Sequence, residues 1–376
     1  GSGDDELTGS TGNDTFFGGA GADTFHGTSG ADILNGEGGN DVFDGADAGG
    51  NDTFIGGGGV NTADYSADSN DLTVDFSGAD SVTGTGIGAD KLDGVAVVNL
   101  GTGNDTFING ASNDTISAGA GQDVADYDAE TADMTYNLST GAVTGAGTDE
   151  LSGFEVYLSG SGDDTFIVHD VAANNTLNGG GGVDTADYSS DANDLTVDLS
   201  GTDSVTGTGI GTDILSSIEV IKTGAGNDEL TGSTGNDTFF GGAGADAVHG
   251  TGGADILDGE GGADVFNGAD AAGNDTFIGG GAVDTADYSA DSNDLVVDFS
   301  GTDSVTGTGI GTDKLDSVEV VNLGTGNDTF INGASNDTIS AGAGQDVADY
   351  DAETADMAYN LTTGAVSGAG NDVLNG

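Results

Sequence analysis

The sequence predicts an all-β fold, a parallel β-solenoid that winds short strands around a common core. Three observations predict it. Aspartate recurs every ninth residue in a glycine setting, at Asp5, Asp14, Asp23, Asp32 and Asp41, with Asp52 after a step of eleven. The run returns at Asp228, Asp237, Asp246, Asp255 and Asp264, followed by Asp275 after eleven and Asp284 after nine. Glycine supplies 74 of the 376 residues while proline is absent, and because the glycines are periodic they read as tight turns and not as a linker. Finally, Leu7–Asp23 recurs unchanged as Leu230–Asp246, an offset of 223 residues that holds from Gly1 against Gly224 to Gly153 against Gly376.

A nine-residue unit has a direct physical reading. Six residues of the form Gly-Gly-x-Gly-x-Asp make a tight loop in which glycine supplies positive φ angles and lets carbonyls converge. The next three make a short strand whose first residue points out and whose second, such as Phe16, Leu34, Phe43 or Phe54, points in. Two units close a coil of about 18 residues, and coils stack at roughly 4.8 Å. About 19 such coils would form a rod near ~90 Å long, with one 223-residue repeat rising roughly 55 Å.

Longer blocks are marked by Ala-Asp-Tyr at residues 63–65, 125–127, 186–188, 286–288 and 348–350. They divide the chain into a nonapeptide array over 1–62, spacer cassettes with following turns over 63–124, 125–185, 186–285 and 286–347, and a partial cassette over 348–376, all read as one continuous solenoid. In the cassette at 186, Leu195, Val197 and Leu199 alternate with polar residues, the period-two pattern of a half-buried strand. Ser204-Val205-Thr206 and the run from Ile214 to Ile221 are expected to be further strands. No 3.6-residue apolar stripe is long enough for a helix, the nearest being Ala129–Met134. Tyr65, Tyr127, Tyr188, Tyr288 and Tyr350 are expected to pack at coil corners.

Charge narrows the partners. The chain carries 66 acidic residues against three lysines, for a formal charge of -63. Phosphate binding needs basic side chains to displace counterions, so nucleic acid is excluded as a partner, and anionic membranes are disfavoured for the same reason. No apolar run is long enough to span a bilayer, and no charged leader with an apolar stretch opens the sequence. Self-repulsion of this size with 35% hydrophobic residues would leave a chain disordered unless cations neutralise it. Carboxylate and carbonyl oxygens are the ligands that hard ions such as calcium prefer. With no cysteine, neither disulfides nor thiolate metal sites can contribute.

The nonapeptide resembles the RTX (repeats-in-toxin) motif G-G-x-G-x-D-x-U-x, closely in Gly18–His26, Gly241–His249 and Gly279–Asp287 and more loosely around Asp114 and Asp337. That resemblance implies a right-handed parallel β-roll with Ca2+ between stacked loops, roughly one ion per loop pair, held by loop carbonyls and by motif aspartates of turns 18 residues apart. Carried over, Asp14 pairs with Asp32, Asp23 with Asp41, Asp237 with Asp255 and Asp246 with Asp264. Asp105, Asp114 and Asp123, their repeats Asp328, Asp337 and Asp346, and the motif positions Asp164 and Asp184 are expected to form analogous sites. Asn61 and Asn175 stand where aspartate is expected, which weakens those two sites. About 20 ions would offset roughly 40 charges and leave the chain acidic.

Other chemistry finds little support. His26, His169 and His249 are the only histidines, and no HExxH, GxSxG or cysteine nucleophile is present, so no catalytic residues are expected. Thr206–Gly211 imitates a dinucleotide loop, but Asp213 beside it would repel phosphate. An ice-binding face would need the threonine of Gly101–Asp105 and Gly324–Asp328 on every coil, and other residues usually replace it. A tandem repeat with no grafted site extends length without adding chemistry. The expectation is a structural segment of a secreted bacterial surface protein, an adhesin stalk, S-layer or extracellular matrix filament, whose partners besides calcium are copies of itself or a cell surface. The RTX resemblance implies type I secretion and folding outside the cell. The alternative is a calcium-binding tail of a secreted enzyme or toxin whose active domain lies elsewhere.

Overall fold

In the computed structural model, residues 1–46, 49–169, 173–269, 273–353, 357–360, 364–368 and 370–376 are described, and among them there are strands and turns but no helix. Ala129–Met134, the nearest approach to a helical stripe, is turn and loop leading into the strand Thr135–Asn137. The chain forms two compact units, one of Gly1–Ile167 with Ala173–Asp184 and one of Val168–Ala172 with Thr185–Gly376.

The first unit begins as expected from the nine-residue period. Glu6–Thr8, Thr24–His26 and Val42–Asp44 pair in parallel at a register of 18 residues, as do Thr15–Ala20 and Ile33–Gly38 on the opposite side of the coil. The eleven-residue step to Asp52 lengthens one coil, so Ile33 pairs with Thr53 and Val42 with Thr62. Period-two geometry places the middle residue of each three-residue strand inside. Phe25, Leu34, Phe43, Phe54 and Ala63 are completely buried, whereas Phe17, one position later, is 59% exposed. Phe25 and Phe43 stack at 5.1 Å between ring centroids, and Phe43 stacks on Phe54 at 5.2 Å.

Glycine is required where loops stack. Gly39 has φ of 147°, and a Cβ there would fall 1.6 Å from the carbonyl oxygen of Gly21 in the coil below. Gly45 answers a different need. A Cβ on it would lie 2.1 Å from Cε1 of Tyr65, so the tyrosine ring occupies the space a side chain would fill.

The cassettes depart from a purely parallel winding. Leu72–Asp75, Ser81–Gly84 and Gly88–Asp93 form an antiparallel meander within one sheet. Its last strand pairs in parallel with Thr53–Ile55 and its first with Thr106–Ile108. The chain thus runs ahead, fills three ladder positions backwards and returns to the earlier coil. Meanwhile, in the other sheet, Thr62–Asp64 pairs directly with Val97–Asn99. The next cassette, Thr135–Asn137, Ala142–Thr144 and Thr148–Ser152, does the same in that other sheet. Alternation between sheets keeps the two faces level, which a meander confined to one sheet would not.

The second unit repeats this plan. Thr185–Asp187, Val220–Lys222, Thr238–Phe240, Ile256–Asp258 and Thr276–Ile278 form one parallel ladder, and Glu229–Thr231, Ala247–His249, Val265–Asn267 and Thr285–Asp287 the other. Meanders at Leu195–Ser216 and Leu295–Asp316 lie in different sheets of this unit. A third, ending in Asn371–Asn375, returns to the sheet of the first.

Candidate metal centres

In the nonapeptide coils the motif aspartate stands at the end of a loop, immediately before a strand, where the carboxylate meets the backbone of the preceding coil. Oδ1 accepts the N–H of the earlier motif residue. Asp5 donates in this way to Asp23 and Asp23 to Asp41, at 2.8 and 2.9 Å. Asp14 donates to Asp32 and Asp32 to Asp52, both at 2.8 Å. Asp105 donates to Asp123, and Asp164 to Asp184, each at 2.7 Å. In the second unit one column runs Asp228, Asp246, Asp264, Asp284 and another Asp237, Asp255, Asp275. Asp328 donates to Asp346 at 3.0 Å. All four pairs expected at a separation of 18 residues are therefore in contact.

The second oxygen is the informative one. Oδ2 of Asp23, Asp32, Asp41, Asp105, Asp123, Asp228, Asp246, Asp264, Asp284 and Asp328 is buried with no hydrogen-bond partner. A buried carboxylate oxygen without a donor is costly, and repeating that cost along a column calls for a counter-charge. Asp246 shows the strain, since burial pushes its carboxyl up to about 7, with the Asp228 and Asp264 carboxylates adding to the rise. Burial lifts Asp264 to about 6 with help from Asp284 and Asp258, and lifts Asp123 to about 6 with help from Asp105, Glu155 and Asp71. Where a glycine opens the loop it lies against this oxygen, and a Cβ on Gly18 or Gly36 would come 2.1 Å from Oδ2 of Asp23 or Asp41.

These features fit a hard divalent cation. Among the described residues no three acidic, histidine or cysteine side chains gather into a cage, so an ion here would take one or two carboxylates and otherwise loop carbonyls and water. When bound, calcium would supply the positive charge that the stacked carboxylates lack. The protein's own part is to hold each carboxylate by its Oδ1 bond, leaving Oδ2 directed into the loop.

Several motif positions end differently, and the sequence alone did not single these out. Asp52, Asp114, Asp275 and Asp337 donate to cassette aspartates Asp90, Asp149, Asp313 and Asp372. There Oδ2 is taken by a tyrosine hydroxyl, from Tyr65 to Asp90 at 2.9 Å, Tyr127 to Asp149 at 2.8 Å, Tyr288 to Asp313 at 2.9 Å and Tyr350 to Asp372 at 3.0 Å. Tyr188 bonds Asp213 likewise at 3.0 Å. The five Ala-Asp-Tyr tyrosines are thus buried packing residues, as expected, with a polar task as well. The available signal was the constant pairing of Ala-Asp-Tyr with an aspartate 22 or 25 residues later. Asp123 and Asp284 instead donate to Glu155 and Glu319, glutamates that occupy the motif position just before a Val-x-x strand. At Asn61, Oδ1 accepts the N–H of Asp41 while Nδ2 donates to the Gly94 carbonyl at 3.1 Å, so the amide closes the place where an aspartate leaves an oxygen open. Asn175 directs Nδ2 toward the carbonyl of Ala173 at 3.5 Å.

Asp5 is exposed, and Oδ2 of Asp14 accepts the N–H of Ser10 at 2.6 Å as Oδ2 of Asp237 accepts that of Ser233 at 2.8 Å, so none of the three leaves a buried second oxygen open. Among known proteins, no curated relative matches the chain. The family model for the RTX calcium-binding nonapeptide repeat matches residues 1–33, 17–48, 26–63, 97–129, 213–248, 241–271, 249–286 and 316–352, together more than half of the sequence. The motif carboxylates with open second oxygens fall within those matches, and the chain belongs to the RTX calcium-binding nonapeptide repeat family.

Proposed function

We propose that this calcium-binding β-solenoid segment is a structural element of a secreted bacterial surface protein, an adhesin stalk, S-layer or extracellular matrix filament, and that it folds on binding calcium outside the cell. The observation that carries this reading is the 223-residue duplication, which copies whole arrangements and not a single site. Asp52 donates to Asp90 across 38 residues and Tyr65 caps Asp90; Asp275 donates to Asp313 across 38 residues and Tyr288 caps Asp313. Copying an entire coil program adds ordered length. The ions of this reading sit on the open motif aspartates, where binding energy becomes folding energy because no preformed site exists in the unfolded chain.

Circular dichroism tests the coupling. The expected result is a β-rich spectrum in about 5 mM calcium, above the range of extracellular sites, and its loss in excess chelator. The same spectrum in both would overturn it. Further 223-residue copies in the parent reading frame support the stalk, while an adjoining catalytic domain would instead make the segment a tail of an exported enzyme or toxin.

A further inference from the structure

We propose that the spacer loops are themselves cation sites, in which Asp191 joins Asp228, Asp68 joins Asp105 and Asp291 joins Asp328. The inference rests on the reading of the motif loops as calcium sites and extends it to loops that lack the motif.

The spacer loop after Tyr188 stacks in the column as if it were a motif loop. Leu195 donates its N–H to Oδ1 of Asp228 at 2.8 Å, the bond that a motif aspartate makes elsewhere. A Cβ on Gly224 would lie 2.0 Å from the Asp191 carbonyl oxygen, and one on Gly242, a coil later, would lie 2.0 Å from that of Gly224. Aligned in this way, residue 191 holds the second-glycine position of the motif and residue 195 its aspartate position. The sequence has exchanged the two characters, losing the carboxylate at the sixth place to Leu195 and regaining one at the second. Leu72 with Asp105 and Asp68, and Leu295 with Asp328 and Asp291, repeat the exchange, with N–H to Oδ1 distances of 2.7 and 2.8 Å and Cβ approaches of 1.9 Å.

Unmet oxygens show what the exchange is for. Asp191 is 1% exposed, and its Oδ1 is held by the N–H and Nδ2 of Asn193 at 2.7 and 2.9 Å. Its Oδ2 is buried without a partner, as is Oδ2 of Asp228, whose Oδ1 already holds Leu195. The Thr223 hydroxyl beside Asp228 donates to the Gly241 carbonyl at 2.8 Å. The Asp191 backbone packs on Gly224, in the loop that Asp228 closes, so both carboxylates belong to one stacked loop pair. Asp191 and Asp228 thus offer two open oxygens that suit a hard divalent ion completed by backbone oxygens and water, and in the other two loops the open buried oxygen is that of Asp105 or Asp328, with Asp68 or Asp291 at the second place. The second cassette supplies the contrast. It has Glu130 at the second place, and there the Asn109 amide already donates to Oε1 at 2.9 Å, as Asn332 does to Glu353 at 3.0 Å. The proposal is therefore confined to the three aspartate loops.

The test is calcium stoichiometry of the full chain by equilibrium dialysis with metal analysis. Asparagine at 191 keeps the bonds to Asn193 and removes only the charge and the open oxygen. Asp191→Asn is expected to bind one calcium fewer than the parent chain, and the triple variant Asp68→Asn, Asp191→Asn, Asp291→Asn three fewer, with the β-rich spectrum retained in saturating calcium. Asp198→Asn, on a strand with its carboxylate bonded to Ser200, is expected to leave the number unchanged. Unaltered stoichiometry in Asp191→Asn overturns the spacer sites while leaving the motif sites standing. A parent chain that binds no calcium overturns both, and should the triple variant not fold, the single variant decides.

Discussion

Replacing Tyr127 by phenylalanine removes one oxygen from a buried corner and tests whether the tyrosine caps contribute stability apart from any ion. Tyr127 and Asp149 are 1% and 2% exposed, and the hydroxyl donates to Oδ2 at 2.8 Å. Oδ1 of the same carboxylate accepts the N–H of Asp114 at 3.0 Å, so the truncation strands only Oδ2. A hydrogen bond to a charged group is worth about 1.5–3 kcal/mol, and a buried acceptor left without a donor costs about 1–3 kcal/mol. The expected loss for Tyr127→Phe is therefore about 2 kcal/mol. In a unit of this size that lowers Tm by roughly 4–8 °C at about 2–4 °C per kcal/mol. The assay is urea unfolding in saturating calcium, so that ion loss does not enter, with Asp149→Asn and the double variant completing a cycle. A coupling of about 1–2 kcal/mol between the two positions is expected. Loss below about 0.5 kcal/mol in Tyr127→Phe, the range of ordinary surface substitutions, would refute the argument that the hydroxyl satisfies a buried carboxylate.

Two further outcomes follow from the carboxylate columns and the loops. Burial raises Asp246 to about 7 and Asp114, Asp123, Asp264 and Asp337 to about 6, all above the ordinary 3.8. Groups raised in the folded state favour folding while protonated, so in chelator ellipticity should be greatest at about pH 4 and below and fall as pH rises from there through about 6 to 7, and saturating calcium should abolish or reverse that fall; a chelated chain insensitive to pH over this window would count against buried ionisable columns. Glu37 takes φ of 66° at a second-glycine position, so Glu37→Gly should raise stability in calcium by up to about 1 kcal/mol, seen as a higher urea midpoint at unchanged slope.

How much of this was legible follows from what repeats locally. A nonapeptide carries its own turn, its own strand and its own inward residue, so the 18-residue register of Thr24–His26 on Glu6–Thr8 can be read from spacing alone. The eleven-residue step was equally visible and becomes the 20-residue register at Thr53 and Thr62. The order of strands within a cassette was not legible. Leu195–Asp198, Ser204–Gly207 and Gly211–Ser216 announce themselves as strands by alternation, but the same alternation serves a parallel or an antiparallel neighbour. Only the backward fill of the sheet decides it, and that depends on where Thr185–Asp187 finds its partner at Val220–Lys222.

The site divides along the same line. A regular aspartate period tells which carboxylates line up, because register is a matter of counting. It does not tell what meets the second oxygen. Asp23 and Asp90 read alike as aspartates closing a loop, and both hold the preceding coil through Oδ1. Yet Oδ2 of Asp23 has no partner while Oδ2 of Asp90 receives the Tyr65 hydroxyl from 25 residues away. That difference is set by the meander, which carries Asp90 back onto the coil where Tyr65 is already packed over Gly45. Cassettes therefore do more than space the nonapeptide arrays. Each closes one buried aspartate with a hydroxyl donor of its own, so the chain holds both carboxylates whose charge needs an ion and corners that close without one.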